Sequence, residues 1–203
     1  MRGLYNGEFV SWRDVGGVDL PVRLYVPQNL EALALFDRLV YPETGYTPSD
    51  TPPTVLPTLE MLRTVIRDFE EESVGAIAFA PLSQISGQCS IYPLALKAPG
   101  QVAVQPLALT TGEPITPALD LCDRKGQYFP DLAALQRQVY PLAYPIAVIY
   151  PLDNQVPPAG KKFATLLLTD EGQQFLWRNG LVPLYPDAAR ATPRRISEQN
   201  EAN

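Results

Sequence analysis

The chain has 203 residues, of which 46% are hydrophobic and 19% are charged, a balance typical of folded rather than disordered proteins. Its formal net charge is −6, which argues against a nucleic-acid partner because nucleic-acid phosphates would be repelled. No apolar run approaches the roughly 20 residues that cross a bilayer, so we expect no membrane span in this chain.

Periodicity and capping predict a strand and then a helix near the N-terminus. The strand covers 22–26, and Asn29 is a suitable N-cap for a helix over 30–40. The helix has an apolar face formed by Leu33, Phe36 and Val40. Turn-forming residues over 41–57 then predict a long surface loop.

Helices and strands continue to alternate after this loop. Thr58 can cap a helix whose apolar residues recur every three or four positions, namely Leu59, Leu62, Ile66 and Phe69. Strands are predicted over 74–79, 91–96 and 102–109, and a short helix over 131–138. This alternation predicts the α/β class, in a sandwich arrangement.

The last third of the chain contains a predicted strand over 146–150 and helices over about 158–168 and 170–179. Thr169 is a good N-cap for the last helix, and Gly180 can take the left-handed position that ends it. Phe175 and Leu176 are expected on its buried face, and Trp177 is assigned to the core rather than to a cleft. From Pro186 onward the polar composition predicts a flexible tail.

Enzymatic chemistry finds little support in the sequence. The chain has no histidine, so no Ser-His or Cys-His relay can form, and no phosphate-cradling glycine loop is present. We therefore predict no catalytic residue, no metal site and no cofactor. Cys89 and Cys122 are the two cysteines. They could form one disulfide in an oxidising compartment, although sequence alone cannot place them close enough.

Four stretches, taken in chain order, resemble one family. They are LYNGEFVSWRDVGG at 4–17, LPVRLYV at 20–26, VGAIAFAPLS at 74–83, and the long run from YPLAYPIAVIY at 140 to GLVPL ending at 184. Together they resemble the phosphate-type solute-binding proteins of ABC transporters, which have a type-II periplasmic-binding-protein-like fold. The first element lies well inside the chain in that family, so the resemblance is to an incomplete member.

The resemblance implies an α/β mixed-sheet sandwich consisting of a second lobe plus the C-terminal part of the first. It divides the chain into a second-lobe-like domain at 1–139, a hinge strand with C-terminal helices at 140–185, and a flexible tail at 186–203. It also implies a periplasmic or extracellular location. No signal peptide is evident at the start of the chain, so the compartment stays open.

The family binds its anion with an arginine and a Ser-Gly-Thr loop after the strand equivalent to 22–26, at the start of a helix. Here that loop is replaced by PQNLE, and Glu31 places a negative charge in the first helical turn. Gln28 and Asn29 then stand where ligand groups of this lobe would lie, although ordinary helix capping also explains them. Ser83, which ends the third stretch, is the remaining candidate.

The resemblance implies a non-catalytic function, the binding of a small-molecule solute that could be an oxyanion. The partner would then be an ABC permease or a fused sensor domain. The alternative is a degenerate module that docks on a partner protein and binds no small molecule. The altered anion loop favours the alternative, and the retained hinge-like segment favours solute binding.

Overall fold

The computed structural model of the protein describes residues 1–43, 45, 52–151 and 159–185. Its centre is a parallel sheet of β1 (Val22–Pro27), β2 (Thr54–Leu56) and β3 (Gly75–Ile77), in the order β2-β1-β3. β1 pairs with β2 through Tyr25↔Thr54 and with β3 through Val22↔Gly75. Two further strands, β4 (Leu107–Leu109) and β5 (Tyr128–Pro130), form an antiparallel pair. The predicted α/β class is confirmed.

Helices cover both faces of the parallel sheet. α1 (Arg2–Tyr5) and α2 (Leu30–Val40) pack on one face, in a core that includes Tyr5, Val26 and Phe36. α3 (Thr58–Glu72) packs on the other face, where Tyr25 contacts Met61 and Leu62. Tyr25 and Val26 serve opposite layers because successive side chains of a strand point to opposite faces. The result is a three-layer arrangement around β1.

α2 forms as predicted. The Asn29 side chain accepts a hydrogen bond from the Ala32 N–H at 2.9 Å, which satisfies one of the free donors at the helix start. Phe36 and Val40 are buried on the predicted face, with Leu33 partly buried beside them.

α3 differs from the prediction in its cap and its buried face. Thr58 is the first helical residue rather than the N-cap, which is Pro57 and makes no side-chain capping bond. Of the apolar residues at this spacing, Leu62 is buried, whereas Phe69 is 70% exposed and Leu59 is 65% exposed. Asp68 takes the buried position on the last turns of the helix, because its carboxylate is bound by groups from β1.

The region between β3 and β4 is mostly irregular. It begins with α4 (Leu82–Ile85) and includes only an isolated bridge between Leu96 and Val104. The predicted strand over 91–96 is therefore wrong, and the strand over 102–109 is shortened to β4. Pro93 and Pro106 remove backbone donors from both stretches, and a strand without a paired neighbour is not stable.

β4 and β5 lie over a second, smaller core of Leu107, Leu109, Ile115, Leu121 and Tyr128. A disulfide joins Cys89 to Cys122 at its margin, with Cα atoms 4.7 Å apart. α5 (Leu132–Gln136) follows β5 and is capped by Asp131, which accepts from the Ala134 N–H. It lies within the helix predicted over 131–138.

The C-terminal helices are α6 (Ala159–Leu167) and α7 (Asp170–Arg178), close to the predicted bounds. Thr169 caps α7, and Gly180 has a φ of +72°, as predicted. Phe175 is 62% exposed, however, so its assignment to the buried face of α7 is wrong. The buried residues of α7 are Gly172 and Gln173. The Gln173 side-chain amide donates to the Leu167 carbonyl and accepts from the Leu184 N–H.

The segment over 146–150 is not a strand, contrary to the prediction. It has no ladder partner among the described residues. The predicted tail at 186–203 lies outside the described residues, as does much of the predicted loop over 41–57. Within that loop, Thr54–Leu56 forms β2, so the loop prediction is wrong there. None of the described helices has the length and apolar character needed to cross a membrane.

Candidate functional site

A groove of about 1270 Å³ extends along β3 and past its carboxyl end, and Asn29, which follows β1, also belongs to its wall. The chain leaves β1 toward β2 on one side and returns to β3 on the other, so the strand order reverses between β1 and β3. Open α/β sheets bind ligands in the crevice outside such a switch point, where diverging connections leave a space. The groove therefore lies where this sheet order favours a ligand.

Two of the three predicted ligand residues line the groove. Asn29 follows β1 and Ser83 follows β3, and both belong to its wall. The Asn29 side-chain oxygen caps α2 by accepting from the Ala32 N–H, which is the helix-capping role that the sequence also allows. Gln28 does not line the groove, and its backbone N–H donates to the Leu56 carbonyl at 2.8 Å. The sheet thus brings Asn29 and Ser83 to one edge and leaves Gln28 outside.

The C-terminal part of the chain closes one side of the groove. A Cβ added to Gly180 would lie 2.5 Å from the Ser83 Cα, so only glycine permits this approach of the α7 terminus to α4. The Gln136 side-chain amide donates to the Pro183 carbonyl at 2.6 Å and fixes the chain after α7 against α5. The Ser83 end of the groove is therefore held by residues far apart in sequence.

Carboxylates are the charged side chains of the groove wall. Glu31 and Glu70 contribute to the described lining, which contains no lysine or arginine. Burial, and then the negative charge of Glu31, raise the pKa of the Tyr144 hydroxyl. The rest of the wall is largely apolar, with Phe79 and Leu142 among its members. Such a wall suits an apolar or cationic group better than an anion.

Tyr140 and Tyr144 were not predicted as site residues, although both line the groove. Their signal in the sequence is the spacing of two tyrosines four residues apart, each next to a proline, just before the apolar run at 146–150. We interpreted this stretch only as a hinge. Tyrosine supplies an apolar ring with a polar tip, a combination common in ligand sites.

Burial raises the pKa of Tyr140 to about 12, and its hydroxyl donates to the Leu94 carbonyl at 3.2 Å. Because the folded state favours the neutral phenol, this stabilisation is complete below about pH 10 and is lost as the pH rises toward 12. We expect Tyr140→Phe to reduce the alkaline loss of unfolding free energy by up to about 2–3 kcal/mol. Denaturant unfolding followed at several alkaline pH values would measure this.

The matched control for that measurement is Tyr185→Phe, at an exposed tyrosine that does not line the groove. We expect Tyr185→Phe and the unsubstituted protein to lose the same amount of unfolding free energy at alkaline pH. An unchanged pH dependence in Tyr140→Phe itself would contradict the assignment.

Comparison of the chain with protein-family models, with curated proteins and with solved structures finds no match in any of the three. The α/β class is supported by the structure, and the family resemblance stays a hypothesis.

Proposed function

We propose that this protein binds a small-molecule solute in the groove at the carboxyl edge of its parallel sheet, without catalysing a reaction. In this proposal the described domain corresponds to the second lobe of a type-II periplasmic-binding-protein-like fold, with the hinge and C-terminal helices of the first lobe attached. The observation that carries the proposal is the position of the groove. It lies at the switch point of the sheet order and has Asn29 and Ser83 in its wall.

The proposed ligand is a largely apolar solute that is neutral or positively charged. Glu31 stands in the first turn of α2, where an anion would otherwise be stabilised by the helix dipole. The described wall supplies no basic side chain to offset this carboxylate. An oxyanion, the ligand class of the family that the sequence resembles, is therefore disfavoured. A permease or a fused sensor domain would bind the protein with its solute.

Thermal unfolding with a panel of solutes tests the proposal. The panel contains inorganic phosphate, sulfate, neutral aromatic compounds and small quaternary amines. A solute at 100 times its dissociation constant should stabilise the protein by about 2.7 kcal/mol. We expect this effect from neutral or cationic members and not from phosphate or sulfate.

Glu31→Gln tests whether the solute binds in the groove, because it removes the Glu31 carboxylate and keeps the side-chain shape. For a cationic solute we expect affinity to fall about tenfold, equal to about 1.4 kcal/mol. Glu60→Gln is the matched control, since Glu60 also lies in the first turn of a helix but does not line the groove. If no solute in the panel shifts the unfolding temperature, small-molecule binding loses its support.

A second candidate function, docking on another protein, is favoured by a separate observation. Large apolar side chains are exposed along the last 40 described positions, and they include Ile146, Ile149, Phe163, Leu166, Phe175 and Leu184. Interaction surfaces expose more large apolar side chains than the rest of a protein surface does. This candidate does not require a small molecule.

A further inference from the structure

We propose that the disulfide between Cys89 and Cys122 makes solute binding conditional on oxidation, because it fixes one wall of the groove. This inference rests on the proposed function and adds a redox condition to it. The wall concerned is the strap, defined as residues 89–95, of which residues 90–94 line the groove. Cys89 is the first residue of the strap, so the disulfide attaches the strap covalently to the rest of the fold.

Apart from the disulfide, the strap is weakly attached. Its backbone makes no hydrogen bond to any helix or strand of the described chain. The Tyr92 hydroxyl accepts from the Gln105 side-chain amide at 3.3 Å, and the Tyr140 hydroxyl donates to the Leu94 carbonyl at 3.2 Å. Ordinary hydrogen bonds end at about 3.2 Å for N–H donors and about 3.0 Å for O–H donors, so both bonds are long. Apolar packing of Ile91 against the core between α3 and β1 completes the non-covalent attachment.

The other end of the disulfide belongs to a well-packed part of the chain. Leu121, which precedes Cys122, is 2% exposed and lies in the second core. The backbone N–H of Cys122 donates to the Asp120 carboxylate at 2.8 Å, which fixes the turn that contains this cysteine. The disulfide therefore connects a weakly attached groove wall to a core that is packed independently of the strap backbone.

The disulfide is accessible to a dithiol reductant. Cys122 is exposed and Cys89 is half-buried, and thiol exchange requires that a thiolate reach one of the sulfurs. One thiolate of the reductant attacks a protein sulfur and forms a mixed disulfide, and its second thiolate then displaces that sulfur. The reductant leaves as its own disulfide, and the protein gains two electrons and two protons as two thiols. The chain has no third cysteine that could form an alternative bridge.

Reduction should lower the affinity for a solute because it removes the covalent attachment of the strap. The apparent affinity of a site falls with the fraction of molecules in which the site is assembled. If about one reduced molecule in ten keeps the strap in place, the affinity falls about tenfold. Tyr92 and Leu94 would be lost from the groove wall in the other molecules.

Backbone amide relaxation measured by NMR tests the release of the strap without any solute. We expect strap order parameters of about 0.85 in the oxidised protein and below about 0.6 after dithiothreitol, with β1 rigid in both. The variant with serine at both cysteine positions should match the reduced protein without reductant. Tyr140→Phe is the control, since it removes the hydrogen bond to Leu94 and keeps the disulfide, and its strap should stay rigid. An ordered strap in the reduced protein would overturn the proposal, and so would a loss of order in β1 together with the strap.

Isothermal titration calorimetry with benzyltrimethylammonium, a small quaternary amine, tests the effect on binding. We expect the reduced protein and the double-serine variant to bind it about tenfold or more weakly than the oxidised protein does. Dithiothreitol should not change its affinity for the double-serine variant. Equal affinities of the oxidised and reduced forms would overturn the proposal. No binding to the oxidised form would contradict the proposed function for this solute class, whereas the order parameters still decide whether the disulfide fixes the strap.

Discussion

Replacement of Asp68 by alanine is expected to lower the free energy of unfolding by about 3 kcal/mol, the lower end of the range for breaking a buried ion pair. Asp68 is fully buried on α3. The Tyr25 hydroxyl donates to its Oδ2 at 2.5 Å, and an Arg23 guanidinium nitrogen lies 3.0 Å from its Oδ1. Alanine would leave the Tyr25 hydroxyl buried without its acceptor. The Arg23 side chain is 39% exposed and can turn to water, which is why we expect the lower end of the range.

Urea unfolding followed by circular dichroism measures this effect. Glu71→Ala is the matched control, because Glu71 is an exposed acidic residue on the same helix, and it should change stability by no more than about 0.5 kcal/mol. Asp68→Asn keeps the shape and one acceptor, so its loss should be smaller than that of Asp68→Ala. Equal stability of Asp68→Ala and Glu71→Ala would show that the buried carboxylate does not hold α3 on the sheet.

Simultaneous replacement of Cys89 and Cys122 by serine is expected to destabilise the protein by about 3–4 kcal/mol, the loop-entropy value for cysteines 33 residues apart. The loss should be greatest near the disulfide, because the β4–β5 pair has only a small core to support it. Hydrogen exchange should accelerate at Leu107 and Leu109 more than at Tyr25 and Val26 of the central sheet.

Reduction provides the control for this prediction. Dithiothreitol should bring the unchanged protein to the stability of the double-serine variant and should leave that variant unaffected. A protein whose stability is the same with and without reductant would contradict the contribution assigned to this bridge.

The elements that sequence reasoning placed correctly are those with local signals. α2 and α7 have capping residues at their starts, Asn29 and Thr169, and these signals act within one turn of a helix. The strands over 91–96 and 146–150 were misassigned because strand propensity does not specify a partner, and pairing depends on residues far away in the chain. The burial of Asp68 on α3 was not predicted, because an aspartate is buried only when its partners on another element bind it.

The candidate site was predictable in part. Asn29 and Ser83 are candidates because the family resemblance puts ligand groups at these positions, and the structure brings both to one groove. Gln28 precedes Asn29 directly, and its exclusion from the groove depends on backbone direction that no sequence pattern shows. The contribution of Tyr144 depends on how the chain after α5 returns across the sheet. That return depends on tertiary contacts such as the packing of Leu142 against the core that contains Phe36.

The two tryptophans of the chain occupy separate surroundings. Trp12 is hydrogen-bonded at the start of β3, whereas Trp177 stacks on Phe129 of β5 with ring centroids 6.2 Å apart. Intrinsic fluorescence therefore has one reporter beside the parallel sheet and another where α7 meets the antiparallel pair. Single-tryptophan forms of this protein would reveal whether those regions melt together or in succession.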